Sequence, residues 1–172
     1  MKRLKALLIG LSLITMTACS DVSIPEEGPY IIDETRGHGD LMERRYAHFK
    51  ALNDAGITIE VDSHLSSAGS FVLFFDNICL HEHVWVNFHG PMSKAAAGVF
   101  ALVGVPIIGH GYTEAERDRI NNLIAKRFDE HYRPLGTYYL DNMSQLYAIR
   151  YKGVNAVALN KHFGVPLCPP KT

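Results

Sequence analysis

The chain has 172 residues, with 17 basic and 18 acidic side chains and a formal net charge of −1. That length suits one domain built on one core. The even balance leaves no basic stripe, so no nucleic-acid partner is expected, and no motif calls for a cofactor.

Residues 1–18 stand apart from the fold. Lys2, Arg3 and Lys5 form a basic start, Ala6 to Thr17 is an apolar run, and Met16-Thr17-Ala18-Cys19 closes it. This pattern describes a signal peptide for secretion, with an apolar core too short to span a bilayer. Met16 to Cys19 resembles the bacterial lipoprotein box, which implies that Cys19 is lipidated and becomes the first residue of the mature chain. Several acyl chains on one cysteine hold a protein on a membrane more firmly than one chain does. In Gram-negative lipoproteins a serine after the cysteine, here Ser20, implies the outer membrane. The alternative is an ordinary signal with an unmodified Cys19. Without residues 1–18, 14 basic side chains face 18 acidic ones, a net charge of −4.

Residues 19–29 read as a polar tether and residues 30–172 as a single domain. Tyr30-Ile31-Ile32 predicts a short strand leading into Asp33–Asp40, a loop that carries Gly37 and Gly39. Asp40 to Ala55 predicts a helix, because Met42, Tyr46, Phe49 and Leu52 share one face and Gly56 stops it. Ile57, Ile59 and Val61 alternate as a half-buried strand does. After a polar turn, Ser67-Ala68-Gly69 opens an apolar stretch predicted as a helix to about Asp76.

Val84 to Phe88 predicts a strand that delivers His89. Ala95 to Ile108 is apolar, broken by Gly98, Gly104 and Pro106, and too short to span a bilayer. It is either a flap lining a groove or oligomer contact, or buried core. Thr113-Glu114-Ala115-Glu116 is a capping-box signature. The helix behind it has Ile120, Leu123, Ile124 and Phe128 as its inward stripe and ends near Tyr132, before Pro134. Tyr138 to Val165 predicts two short helices around Gly153. Strands alternating with helices predict an α/β domain with a mostly parallel sheet flanked by helices.

With Cys19 committed to lipid, Cys79 and Cys168 form an even pair in an oxidising compartment, which predicts a disulfide. Two unpaired buried thiols are the alternative.

A serine held where a strand turns into a helix exposes its hydroxyl and aims the first free helix amides at the same point. Ser67 is therefore the candidate nucleophile and His89, on the next strand, the candidate general base. The Gly37-His38-Gly39 loop and the Ala68 N–H are candidate donors to an oxyanion. Each residue also has an ordinary reading. Ser67 or Ser66 caps the helix, and His89 is a hydrogen-bonded sheet histidine.

The glycine loop, Ser67-Ala68-Gly69 and His89-Gly90-Pro91 together resemble the Clp-protease/crotonase-like superfamily, in particular its small exported serine-hydrolase-like members. The resemblance covers most of Tyr30 to Gly153. It implies a crotonase/Clp-protease-like α/β fold, a peptide or acyl substrate and homo-oligomeric assembly. It also implies Asp141, in Asp141-Asn142-Met143-Ser144, as the third catalytic member. His38 stands where the resemblance expects a small residue. Related peptidases use a lysine base, which makes Lys94 the substitute for His89.

His81-Glu82-His83 places two imidazoles on one strand face, and His64 is a conceivable third zinc ligand. Edge exposure accounts for the pair more simply, so no metal site is assigned. Three functional readings follow: a lipid-anchored envelope serine hydrolase, a silent scaffold of the same fold that binds an envelope partner, and a His-rich metal-binding lipoprotein.

Overall fold

The computed structural model describes residues 25, 28–33, 42–94, 111–145 and 152–170. The signal segment, Cys19, the Gly37-His38-Gly39 loop and the Ala95–Ile108 stretch lie outside them.

Two small sheets organise the chain. β1 (Tyr30–Ile32), β2 (Ile59–Val61) and β4 (Ile78–Leu80) form the first, all parallel, with β2 in the middle. β3 (Leu65–Ser66), β5 (Trp85–Phe88) and β6 (Lys152–Asn155) form the second, with β3 parallel and β6 antiparallel to the central β5. Around them lie α1 (Met42–Asp54), a 3₁₀ helix (Ser67–Phe74), α2 (Glu114–His131), α3 (Leu135–Asn142) and α4 (Ala156–Phe163). The fold is mixed α/β with flanking helices, as the alternating pattern predicts, but the strands divide between a parallel sheet and a mixed one instead of forming one mostly parallel sheet.

Local chemistry sets the elements. Phe49 and Leu52 are buried on α1, and Tyr46 packs on Phe75 with ring centroids 5.7 Å apart. The capping box on α2 is present: Glu116 N–H donates to Thr113 Oγ1 at 3.3 Å and Thr113 N–H to Glu116 Oε2 at 2.7 Å. α4 starts on Asn155, whose side chain accepts from Ala158 N–H at 2.7 Å, and stops at Gly164, where φ is 76°.

Several expectations are corrected. Residues 67–74 wind as a 3₁₀ helix, so the apolar stretch stops short of Asp76. β4 was not foreseen, and Gly153 lies inside β6 instead of between two helices. Leu123 is 57% exposed, whereas Arg117 and Asn121 are buried with Ile124 and Phe128. The buried residues of α2 are thus Arg117, Asn121, Ile124, Ala125 and Phe128, two of them polar.

Cys79 and Cys168 are joined in a disulfide, as predicted. The bridge holds the tail along β4. Leu80 N–H donates to Pro166 O at 2.9 Å and Cys168 N–H to Leu80 O at 3.0 Å. Among the described residues no helix is long and apolar enough to cross a membrane.

Candidate active site

The register of the second sheet brings Ser67 and His89 together. Ser66 pairs with Asn87 in parallel strands, so the residues that follow leave from the same end of the sheet. Ser67 turns into the 3₁₀ helix with φ at 55°, the one positive φ outside glycine among the described residues. A serine held there costs roughly 1–3 kcal/mol, a strain of the kind found where function fixes a side chain. Ser70 Oγ closes the turn by donating to Ser67 O at 2.7 Å.

The helix-cap reading does not describe this serine pair. Ser66 occupies the cap position and makes no side-chain cap bond. The Ser67 hydroxyl makes no hydrogen bond among the described residues and faces a cavity instead. That cavity, about 30 Å³, is lined by Ser67, Ala68, His89, Gly90 and Pro91, with Phe71, Phe128 and Tyr139 among its apolar walls. Ser67 and His89 share it without hydrogen bonding to each other. Ala68 N–H belongs to the first helical turn, where backbone donors have no intrahelical partner.

His89 is half-buried, and its Nδ1 lies 2.7 Å from the carbonyl oxygen of Gly90. A carbonyl only accepts, so Nδ1 carries the proton, and in the neutral ring Nε2 holds the lone pair. Burial pushes the imidazole below its ordinary pKa of 6.5, and the Gly90 carbonyl opposes that shift only in part. The ring is neutral at neutral pH, the state a general base needs.

Beneath the cavity runs a chain of aromatic rings. Phe71 stacks on Phe74 at 4.8 Å, Phe74 meets Phe128 at 4.9 Å, and Phe128 meets Tyr139 edge-on at 5.7 Å. The Tyr139 hydroxyl donates to Asn121 Oδ1 at 2.8 Å, and Asn121 Nδ2 donates to Ser144 O at 3.3 Å. Burial holds the Tyr139 phenol far above its usual pKa, so it stays a donor. Arg117 Nε donates to Pro91 O at 3.0 Å, fixing the segment after His89 from below. Tyr139, Asn121 and Arg117 carry no motif in the sequence. Arg117 and Asn121 are buried polar positions on α2, and Tyr139 lies on α3.

Asp141 is placed differently from the expectation. It is exposed near the end of α3 and does not line the cavity, whereas Tyr139, two residues earlier, does. From the same motif Ser144 is buried, donates to Leu140 O at 2.7 Å, and packs its carbonyl against Gly90. Lys94 is exposed and also absent from the cavity wall. The two-glycine loop with His38 lies outside the described residues.

A larger apolar groove of about 430 Å³ adjoins the cavity across Phe71 and Ile124. Tyr46, Phe74, Tyr112 and Leu123 supply much of its wall.

No protein-family model matches the chain, and no curated protein is significantly similar to it.

Proposed function

We propose that the protein is a serine hydrolase acting on acyl or peptide bonds, exported and lipid-anchored through Cys19 at the periplasmic face of the envelope. Ser67 is the nucleophile and His89 the base. The observation that carries this reading is a strained serine at a strand-to-helix turn sharing a cavity with a neutral, carbonyl-oriented imidazole. The Gly90 carbonyl takes the orienting role expected of Asp141.

In the reaction Ser67 Oγ adds to the substrate carbonyl while its proton passes to His89 Nε2. The oxyanion is held by Ala68 N–H and the Gly37–Gly39 loop. Collapse of the tetrahedral species expels the leaving group, which takes the proton from His89. Water, deprotonated by His89, then releases the acyl group and restores Ser67. The apolar groove beyond Phe71 supports an apolar acyl or side-chain substituent. The disulfide supports export, since such bridges persist in oxidising compartments. Assignment to the Clp/crotonase-like superfamily, and assembly into a homo-oligomer, belong to the same proposal and rest on Ser67-Ala68-Gly69 and His89-Gly90-Pro91.

A fluorophosphonate probe tests it. Labelling mapped to Ser67 and lost in both Ser67→Ala and His89→Ala supports the enzyme. Folded protein that is never labelled refutes it.

One observation favours the silent-scaffold reading: a cavity of about 30 Å³ has room for a water molecule and little more. That reading expects no labelling, with an envelope partner retained by Ser67→Ala.

A further inference from the structure

The cavity at Ser67 has room for about one water molecule, so it takes a carbonyl group and little more. The rest of any substrate must lie elsewhere. Phe71 and Ile124 line both this cavity and the apolar groove of about 430 Å³, so the two spaces adjoin. The groove falls within the roughly 300–1,000 Å³ that small-ligand sites occupy.

Its construction says what it can hold. Tyr46 comes from α1, Phe71 and Phe74 from the 3₁₀ helix, and Ile120, Leu123 and Ile124 from α2. Helical backbone pairs with itself, so such walls present side chains and no row of free N–H or C=O groups. Tyr112 joins from outside a helix, but its N–H donates to Met92 O at 2.8 Å and its carbonyl accepts from Lys94 N–H at 2.9 Å. The charged side chains among the described lining, Glu43 and Arg127, are exposed, and Arg127 is paired with Glu130 at 2.9 Å. A peptide here would bury a donor and an acceptor per residue, and no strand edge among the described residues of the wall matches them. A hydrocarbon chain carries no such groups and gains from every methylene removed from water.

We propose that the groove is the acyl subsite of the Ser67 centre and that the substrate is a linear carboxylic ester, not a peptide. The chemistry rests on the serine-hydrolase reading; the binding does not. Ser67 Oγ bonds to the ester carbonyl carbon, and the alcohol leaves with the proton that His89 took from Ser67. The acyl chain stays along Phe71 in the groove. Water then adds its hydroxyl to the acyl carbon and its proton to His89, the bond to Oγ breaks, and Oγ recovers the proton as the carboxylic acid departs.

Two measurements separate binding from chemistry. Ser67→Ala, which cannot turn over, is titrated calorimetrically with the acetyl, butyryl, octanoyl and decanoyl monoesters of glycerol and with a capped tetraleucine peptide. Affinity should rise about two- to fourfold per methylene until the groove is filled, with a negative heat-capacity change, and the peptide should not bind. In the unsubstituted chain kcat/KM for these esters should follow the same order. Leu123→Asp, at a position 57% exposed, sets a charge on the groove wall and should cut the octanoyl-to-acetyl ratio at least about tenfold. That ratio does not depend on how much of a preparation is active. Ile120→Phe narrows the groove and should move the preference to a shorter chain, whereas Val157→Asp, exposed on α4 and not on the groove wall, leaves it unchanged. Affinity independent of chain length, or a peptide bound more tightly than the octanoyl ester, overturns the proposal. So does a dimer that binds no ester and is split by Leu123→Asp, which makes the groove a contact between copies of the chain. Ester binding that grows with chain length but is never followed by turnover refutes the hydrolase reading and leaves the acyl-chain site standing.

Discussion

His89 donates its Nδ1 proton to the carbonyl oxygen of its own neighbour, Gly90, at 2.7 Å. A backbone atom thus fixes the tautomer that a carboxylate fixes in a Ser-His-Asp triad. Asp141→Asn is therefore expected to leave the rate of Ser67 labelling within about twofold of the unsubstituted rate, whereas His89→Gln abolishes it. A large loss in Asp141→Asn restores the carboxylate as orienter.

The pH dependence follows from the burial of His89. Its pKa in the folded chain lies below 6.5, so labelling should be constant at neutral pH and fall only below that value. Stability has the same sign. The unfolded chain binds this proton near pH 6.5 and the folded chain only at lower pH, so the His89 contribution present at neutral pH is lost as pH falls below 6.5. Denaturant midpoints across pH 5–8, compared with His89→Gln, isolate the contribution. An apparent pKa above 6.5 for labelling contradicts the assignment.

Ser67→Gly separates strain from function. Glycine adopts the 55° φ without the steric cost borne by serine. The variant should be as stable as the unsubstituted chain or more so, by up to about 1 kcal/mol, and should not label. Chemical denaturation measures the first outcome and the phosphonate probe the second.

Gly90 is fixed by close approach. A Cβ there would collide with the backbone carbonyl of Ser144, whose displacement would also disturb the hydrogen bond it accepts from Asn121. Gly90→Ala should cost about 1–3 kcal/mol by overpacking and disturb the cavity as well. A thermal melt shifted downward by several degrees checks this.

Breaking the Cys79–Cys168 bridge, which spans 89 residues, should destabilise the chain by about 4–5 kcal/mol in the chain-entropy model. Cys168→Ser measured in denaturant, against the unsubstituted chain with its bridge intact, tests the figure. An effect below about 1 kcal/mol shows that the tail holds without it.

Much of the site was legible because its signals are local. The alternation before Ser67, the Ser-Ala-Gly turn and the apolar strand ahead of His89 each occupy a few consecutive residues. The capping box at Thr113 reads as directly, and the cysteine pair followed from counting. What escaped depends on long-range pairing. Ile78-Cys79-Leu80 is buried on both faces, so it shows no alternation to mark it as a strand. Lys152-Gly153-Val154-Asn155 has weak strand propensity and pairs because β5 offers it an edge. Trp85 lies beside Gly153, in the space a side chain there would need. On α2 apolar periodicity favours Leu123 over Asn121, because hydropathy ignores a buried polar network.

The tail at Pro166 to Cys168 has one further effect. By occupying the amide and carbonyl of Leu80, it covers the outer rim of β4, which would otherwise invite a foreign strand. A reductant strong enough to open the bridge would loosen that cover and uncover a fully apolar, three-residue template. With the bridge open, two backbone hydrogen bonds at Leu80 would be left to hold that cover, so comparing the oligomeric state with and without reductant shows whether the exposed edge then pairs with a second chain.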